Sequence, residues 1–282
     1  MGNTAGRQPR EYGPVEALGG KGRRPTKLHV VVVGVDRYRD PRIRDLSYAR
    51  ADAEAVVELV EKVHPDERSV QALLDGEATK RNVMVAIGET LPRIAREDDV
   101  VLIYFAGHGS PETDGYRDDA GRHLVLHDTE YDNVYATGID MEHELTRWFE
   151  RLQHTRLLLL VVDACFSGRA GGRTFEGPSL RRSRSGMRAT EPVVLNGLDL
   201  GEGRLMLSAC GDRQVAREDP ALGHGVFTHY LLHGPSTDGH PTTVGVHTLY
   251  EELARSVHAH TGGRQTPVIN GRSEFARVPN LW

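Results

Sequence analysis

Short, nearly continuous apolar runs alternate along the chain with segments whose apolar residues recur every three or four positions. Uninterrupted runs rich in Val and Leu are typical of strands that are covered on both faces, as in a parallel sheet. The runs that predict strands are 27–35, Val70–Leu74, Val100–Phe105, 124–128, Leu157–Val162 and 204–212.

Helical periodicity fills most of the intervals between these runs. Thr79 is a suitable N-cap, and the helix that follows it would bury Val83, Ile87, Leu91 and Ile94. Because strands alternate with helices, the chain is predicted to have an α/β fold with a mostly parallel central β-sheet. The other predicted helices are 46–63, 141–152, 225–234 and 246–260.

The composition narrows the classes of function. A formal net charge of −5 over 282 residues gives no basic surface for nucleic acid, so we expect no nucleic-acid partner. No apolar run reaches the ~20 residues that cross a bilayer, and the N-terminus lacks an apolar signal segment. Two cysteines are too few for a disulfide framework. We therefore expect a cytoplasmic protein without a membrane partner.

A histidine and a cysteine follow two of the predicted strands. His108 lies between two glycines after the run Val100–Phe105, and Cys165 follows Leu157–Val162. The carboxyl ends of parallel strands share one edge of a sheet, where ligands usually bind. We therefore predict that His108 acts as a general base for the nucleophile Cys165, with the backbone N–H groups of Gly109 and Cys165 holding an oxyanion. The alternative is a small buried cysteine and an ordinary loop histidine.

The two motifs that contain these residues are YFAGHGS and DACFSG, with His108 before Cys165 in the chain. Together they resemble the caspase-like cysteine peptidases, in particular the metacaspases and bacterial caspase homologues. The resemblance implies a caspase-like fold with helices on both faces of the sheet, over 27–282. Residues 27–170 would form a large-subunit-like part and 189–282 a small-subunit-like part, after a flexible N-terminal segment at 1–26.

One position departs from the caspases, whose motif has Gln two residues before the nucleophile. Here that residue is Asp163. The resemblance implies that Asp163 and Asp52 line a half-buried pocket for the residue before the scissile bond, as in metacaspases, and that Ser208 lines the cleft. Two carboxylates favour a cation, so we expect cleavage after Arg or Lys. A solvated helix residue at Asp52 and a loop hydrogen-bonder at Asp163 are the alternatives.

Residues 171–188 are rich in Gly, Ser and Arg and show no periodicity, so we interpret them as a linker. The resemblance implies that the chain cuts itself in this segment, and a merely disordered loop is the alternative. The candidate cleavage sites are Arg173, Arg181, Arg182, Arg184 and Arg188.

The chemistry itself requires no cofactor, but many metacaspases depend on Ca²⁺. The acidic residues after the histidine are candidate ligands, although their spacing matches no fixed calcium loop. An exposed acidic loop without calcium is the alternative. These residues are Asp114, Asp118, Asp119 and Asp128.

The sequence thus predicts a cysteine-type endopeptidase, a hydrolase that acts on proteins or peptides with Arg or Lys before the cut. Relatives in bacteria act in cell death or anti-phage defence, and we expect a separate activator or sensor protein. The alternatives are a non-catalytic caspase-like scaffold, an aspartate-specific peptidase, and an esterase or transferase that uses the same two residues. Cys210 and His224 are interpreted as structural.

Overall fold

A computed structural model describes residues 26–63, 68–112, 121–166, 172–175, 202–211, 214–234 and 246–272. The predicted segment 1–26 therefore lies outside the described residues except for its last position, and so does the linker 171–188 except for 172–175. The strands of this part of the chain are β1 Leu28–Gly34, β2 Arg68–Leu74, β3 Val100–Ala106, β4 Gly109–Glu112, β5 Gly121–Leu124, β6 Ile139–Asp140, β7 Leu157–Asp163, β8 Arg204–Ser208, β9 Glu218–Asp219, β10 His224–Gly225 and β11 Val268–Arg272.

Within the described residues, six of these strands form the central sheet in the order β11-β8-β7-β3-β1-β2. All neighbouring pairs are parallel except β11 with β8. Every residue of β1, β3 and β7 is buried, which explains their unbroken apolar sequences. The predicted mostly parallel α/β sheet is confirmed.

Helices cover both faces of the sheet, because successive side chains of a strand point to opposite sides. On one face Val30 and Leu102 pack with the helices at 49–63, 226–233 and 246–261, and on the other Val31 and Ile103 pack with those at 80–85, 91–94 and 141–151. The helices are α1 Ala49–Val63, α2 Lys80–Val85, α3 Leu91–Ile94, α4 Val134–Thr137, α5 Met141–Arg151, α6 Val226–His233 and α7 Val246–Thr261.

The helix predicted after Thr79 is present, with a π-helical turn at Ala86–Thr90 between α2 and α3. Thr79 is its N-cap, since its side chain accepts a hydrogen bond from Asn82 N at 3.2 Å. Val83, Ile87 and Leu91 are buried as predicted, but Ile94 is exposed. The π turn shifts the helical phase by about one residue, which explains why a regular 3.6-residue pattern fails at the end of this segment.

Two strand predictions were wrong in their bounds. The strand expected at 124–128 lies earlier, at Gly121–Leu124, where it pairs with β4 and β6. β8 ends at Ser208, so Cys210 lies beyond the strand rather than inside it. The sequence analysis also missed β11, whose antiparallel pairing at the sheet edge needs little apolar sequence.

None of the described helices is long and apolar enough to span a membrane.

Candidate active site

The backbone pairing of β3 with β7 sets the position of both predicted reactive residues. Their parallel register ends with Ala106 opposite Asp163, and His108 and Cys165 each lie two residues further on. The loops that follow remain in contact, since Gly107 N donates to Asp163 O at 3.3 Å. His108 and Cys165 therefore follow adjacent strands at one edge of the sheet.

The imidazole of His108 is buried and held in one tautomer. Its Nε2 lies 2.7 Å from the backbone carbonyl oxygen of Arg44, which can only accept, so Nε2 carries the proton. Nδ1 has no hydrogen-bond partner among the described residues and is left as the unprotonated nitrogen. Tyr38 supports this arrangement: its ring stacks on the imidazole at 5.2 Å, and its hydroxyl accepts from His108 N at 3.0 Å.

Burial lowers the pKa of His108 from 6.5 to about 4. The loss of hydration around an imidazolium outweighs the favourable effect of the Arg44 and Arg173 carbonyl groups. His108 is therefore neutral near pH 7, with Nδ1 available to accept a proton. Neither Arg44 nor Tyr38 was predicted, because each contacts His108 across a large sequence separation and carries no motif of its own.

The Cys165 thiol is buried and donates a hydrogen bond to Gln214 O at 3.0 Å. The Cys210 thiol approaches the same carbonyl oxygen, at 3.6 Å. The pKa of Cys210 is raised well above its ordinary value, first by its hydrogen bond with the Cys165 side chain and then by burial. Cys210 is thus a neighbour of the predicted nucleophile and not only the small core residue that was expected.

The two aspartates of the predicted pocket are brought together, and both are buried. We call Asp52, Asp163 and Glu218 the acidic pocket. Asp52 lies on α1 and Asp163 ends β7, and between them lies the guanidinium of Arg173. Arg173 Nη1 is 2.8 Å from Asp163 Oδ2, and Nη2 contacts Asp52 Oδ2 and lies 3.4 Å from Glu218 Oε1.

Two expectations are corrected by this arrangement. The pocket was predicted to be half-buried, but the chain's own Arg173 fills it and the side chains of Asp52 and Asp163 are at most 1% exposed. Arg173 was predicted as a cleavage site in a linker whose alternative was a disordered loop, but its side chain is 0% exposed, because it pairs with these carboxylates. A buried guanidinium needs such partners, since an unpaired buried charge is very costly.

Residues from α6 and the β9–β10 hairpin complete the pocket. Thr228 donates to Asp163 Oδ2 at 2.6 Å and also contacts the Tyr104 hydroxyl. Asp52 accepts from Gly225 N at 3.0 Å and pairs with His224 Nδ1 at 2.7 Å. The sequence analysis missed Thr228, Gly225 and Glu218 and gave His224 a structural role. The short GHG sequence at 223–225 was the available signal.

Gly225 leaves the space that the guanidinium uses. A Cβ atom at this position would lie 2.8 Å from Arg173 Nη2 and 2.9 Å from the nearest carboxylate oxygens of Asp52 and Asp163. Its φ of −61° is accessible to any residue, so the requirement for glycine is steric and not conformational. The dimensions of the pocket therefore depend on the absence of a side chain at 225.

The pKa of Asp163 is raised from 3.8 to about 6. Burial is the main cause, and it outweighs the attraction of Arg173; the charge of Asp52 adds to the rise. Three carboxylates surround one guanidinium here, so the pocket has more negative than positive charge and favours binding of a proton or a cation.

Gly109 and Ser208, the remaining residues predicted for the oxyanion site and the cleft, both lie at the ends of strands or in the loops that follow them. Gly109 N donates to Arg173 O at 3.0 Å, and Ser208 ends β8 opposite Val162.

Among the calcium candidates, Asp128 accepts from Lys80 N at 2.9 Å, at the start of α2. No group of three His, Cys, Asp or Glu side chains within the described ranges is arranged to hold a metal ion. The candidates outside the described residues are Asp114, Asp118, Asp119, Arg181, Arg182, Arg184 and Arg188.

Comparisons with known proteins agree with this architecture. A protein from Geobacter sulfurreducens, GSU0716, has a solved structure with a TM-score of 0.62 at 18% identity, covering 90% of this chain and 98% of its own. Caspase-1 from Spodoptera frugiperda gives a TM-score of 0.58 at 11% identity, covering 88% of this chain and 90% of its own. The solved structure of pro-sf-caspase-1 gives a TM-score of 0.61 at 11% identity and covers 98% of both chains.

These identities are low enough that the likeness shows the fold alone, and the fold is the caspase-like one that was predicted. A search of curated proteins finds no match. The family model described as "Caspase domain" matches residues 27–277, which is most of the chain. The chain therefore belongs to the caspase-domain family of cysteine peptidases.

Proposed function

We propose that this protein is a cysteine endopeptidase that cleaves polypeptides after Arg or Lys. The observation that carries the proposal is that two buried aspartates, Asp52 and Asp163, already hold a guanidinium beside the loop of Cys165. Paired hydrogen bonds from a planar guanidinium to carboxylates give this recognition both strength and direction. Aspartate before the cut is disfavoured, because a fourth carboxylate would join Asp52, Asp163 and Glu218 in a pocket that already has excess negative charge.

The proposed chemistry assigns one role to each reactive group. His108 Nδ1 takes the proton of the Cys165 thiol, and the sulfur attacks the scissile carbonyl carbon while the carbonyl electron pair moves to the oxygen. The N–H groups of Gly109 and Cys165 stabilise the resulting oxyanion. When the C–N bond breaks, His108 returns the proton to the leaving amine, and a water molecule then hydrolyses the thioester with His108 again as base.

The resting site supports the role of His108 and indicates what Cys165 must do before reaction. The neutral tautomer fixed by the Arg44 carbonyl presents an unprotonated Nδ1, as a general base requires. The Cys165 thiol, which donates to Gln214 O in this state, must rotate toward His108 before the proton can be transferred. A non-catalytic scaffold would need neither a fixed tautomer nor a thiol at this edge of the sheet.

A peptide panel tests the proposal. Peptides that differ only in carrying Arg, Lys or Asp before the cut are incubated with the wild-type protein and with Cys165→Ala. We expect cleavage after Arg and Lys, none after Asp, and a loss of at least about 10³-fold in kcat/KM in the variant. Cleavage after Asp would contradict the pocket assignment, and undiminished activity of Cys165→Ala would contradict the nucleophile. Ester hydrolysis without peptide cleavage would favour the esterase alternative.

Self-cleavage within 171–188 is part of the same proposal, because several Arg residues follow the proposed nucleophile. Mass spectrometry of the purified wild type is expected to give fragments that end in Arg from this segment, and Cys165→Ala is expected to stay intact. A wild type that remains full length during peptide turnover would contradict self-cleavage while leaving the peptidase assignment in place. Calcium dependence and a role in cell death or anti-phage defence stay predictions from the resemblance.

A further inference from the structure

We infer that residues 172–175 are an internal pseudosubstrate: this segment occupies the substrate groove and must leave before another basic residue can bind. The inference rests on the proposed function, because it names what regulates that same site. It takes Arg173 out of the candidate self-cleavage sites, so a cut within 171–188 would follow one of the other arginines of that segment. It is drawn from three observations on the segment: its backbone hydrogen bonds, the position of its arginine, and its burial.

The backbone of the segment is bound as an added strand. Arg173 N donates to Ala216 O at 3.0 Å, Gly109 N donates to Arg173 O at 3.0 Å, and Phe175 N donates to Gly109 O at 2.9 Å. Main-chain pairing of this kind is how an extended peptide binds to an exposed backbone edge. The Arg173 carbonyl thus uses the N–H of Gly109, which is the donor assigned above to the oxyanion of a substrate.

The side chains of the segment are buried in the same groove. The Arg173 guanidinium fills the acidic pocket, and Thr174 and Phe175 are 3% and 2% exposed. The Phe175 ring packs edge-on against Tyr131 at 5.5 Å. An external peptide with Arg before its cut would need the same carboxylates and the same Gly109 N–H, so the two cannot bind together.

The segment is not an ideal partner for the pocket. Nε of Arg173 and Oδ1 of Asp163 are buried without a hydrogen-bond partner among the described residues, and unsatisfied buried polar groups cost free energy. The thiol of Cys165 donates to Gln214 O, and His108 Nδ1 has no hydrogen-bond partner within the described ranges, so the proposed proton transfer is not set up in this state. These features are those of an occupant that blocks the groove and can be exchanged for another arginine.

Gly172 allows the segment to be displaced without altering any pocket group. Its φ is +54°, and a Cβ atom there would collide with the Ala216 carbonyl oxygen. Gly172→Ala should therefore expel the segment while Asp52, Asp163 and Arg173 stay unchanged in sequence. Gly262→Ala is the matched control, because Gly262 has a φ of +59° and no atom within 4 Å of its would-be Cβ.

The first test measures cleavage of an Arg peptide. An occupied groove raises the apparent KM by the inverse of its free fraction, so a segment bound about nine-tenths of the time gives about tenfold. We expect Gly172→Ala to lower KM by about tenfold or more at unchanged kcat, with Gly262→Ala like the wild type. A folded Gly172→Ala protein with the wild-type KM would overturn the inference and leave the proposed peptidase intact.

The second test measures binding without turnover, in proteins that all carry Cys165→Ala. Benzamidine, a small cation that resembles the guanidinium, is titrated while the melting temperature is followed. We expect a larger stabilisation when Gly172→Ala or Arg173→Gln is added, since ligand that binds only the folded state raises its stability. Equal shifts in all three proteins would overturn the inference. Stronger benzamidine binding without any peptide cleavage by the active proteins would support the inference and overturn the proposed function.

Discussion

At the scale of single residues, the geometry of the site depends on a position without a side chain and on a backbone carbonyl group. Gly225 carries no side chain, so two aspartates and a guanidinium meet in the volume beside it. The Arg44 carbonyl does for His108 what an acidic residue does in many catalytic triads, since it fixes the tautomer without adding charge. Backbone atoms therefore supply part of the recognition and part of the orientation.

Gly225→Ala tests the pocket by filling it. The new methyl group would stand within 2.9 Å of both carboxylates, so we expect kcat/KM for Arg peptides to fall by about 10- to 100-fold and benzamidine affinity to fall with it. Gly223→Ala is the control in the same hairpin: its φ of +67° makes a side chain costly to stability, but nothing lies within 4 Å of a Cβ atom there, so the pocket itself is not filled. Equal activity of the two variants would show that the guanidinium site lies elsewhere.

Tyr38→Phe tests the support of His108. The substitution keeps the stacked ring but removes the hydroxyl that accepts from His108 N and donates to Val35 O at 3.1 Å. We expect a loss of about 1–2 kcal/mol in the free energy of unfolding, from denaturant titration, and a fall in kcat with little change in KM. Unchanged kcat would mean that the hydroxyl does not position the imidazole.

At the scale of helices and strands, local sequence determines where elements begin more reliably than where they end. Thr79 starts α2 through a side-chain hydrogen bond between near neighbours, which any reader of the sequence can anticipate. The π turn at Ala86–Thr90 and the edge strand β11 depend on packing and pairing with distant segments, so no local pattern reveals them.

Thr79→Ala measures the contribution of this cap. We expect the free energy of unfolding to fall by about 1 kcal/mol, because Asn82 N loses its side-chain acceptor. Thr146→Ala is the matched control within α5, where the hydroxyl donates to Glu142 O one turn earlier and adds little to the stability of the helix. Denaturant titration in the Cys165→Ala background compares the two, and an equal loss in both variants would contradict the capping role.

At the scale of the whole molecule, residues far apart in sequence meet at one edge of the sheet. The α/β alternation and the positions of His108 and Cys165 after adjacent strands were predictable, because strand order and direction place both loops together. The presence of Asp52 and Asp163 in one pocket was expected from the family resemblance. Arg173 was not predictable as their occupant, since the path of a loop rich in Gly and Arg is set by long-range contacts and not by its own pattern.

The buried imidazole should affect the pH dependence of global stability. The pKa of His108 is about 4 in the folded protein and 6.5 when exposed, so between these values the unfolded chain binds a proton that the folded protein excludes. The free energy of unfolding is therefore complete above about pH 6.5 and falls as the pH decreases toward 4. The expected size of this contribution is about 3 kcal/mol.

His108→Gln isolates that contribution, because it removes one titrating group and leaves the others. Asp163 acts in the opposite direction: its raised pKa means that the folded protein holds an extra proton between about pH 3.8 and 6, so its contribution falls as the pH rises. We expect the difference in stability between Cys165→Ala and Cys165→Ala with His108→Gln to narrow from pH 7 to pH 4. Parallel stability curves would exclude a neutral buried imidazole.

The shared register of β3 and β7 has a further consequence for how this protein tolerates change. Seven consecutive residue pairs, from Val100 with Leu157 to Ala106 with Asp163, fix the starting points of both loops. This register depends on pairing within the two strands and not on the number of residues between them, so one residue added in a surface turn of that interval leaves it unchanged. One extra residue directly after either strand, by contrast, would move the imidazole or the thiol by a whole peptide unit and separate them.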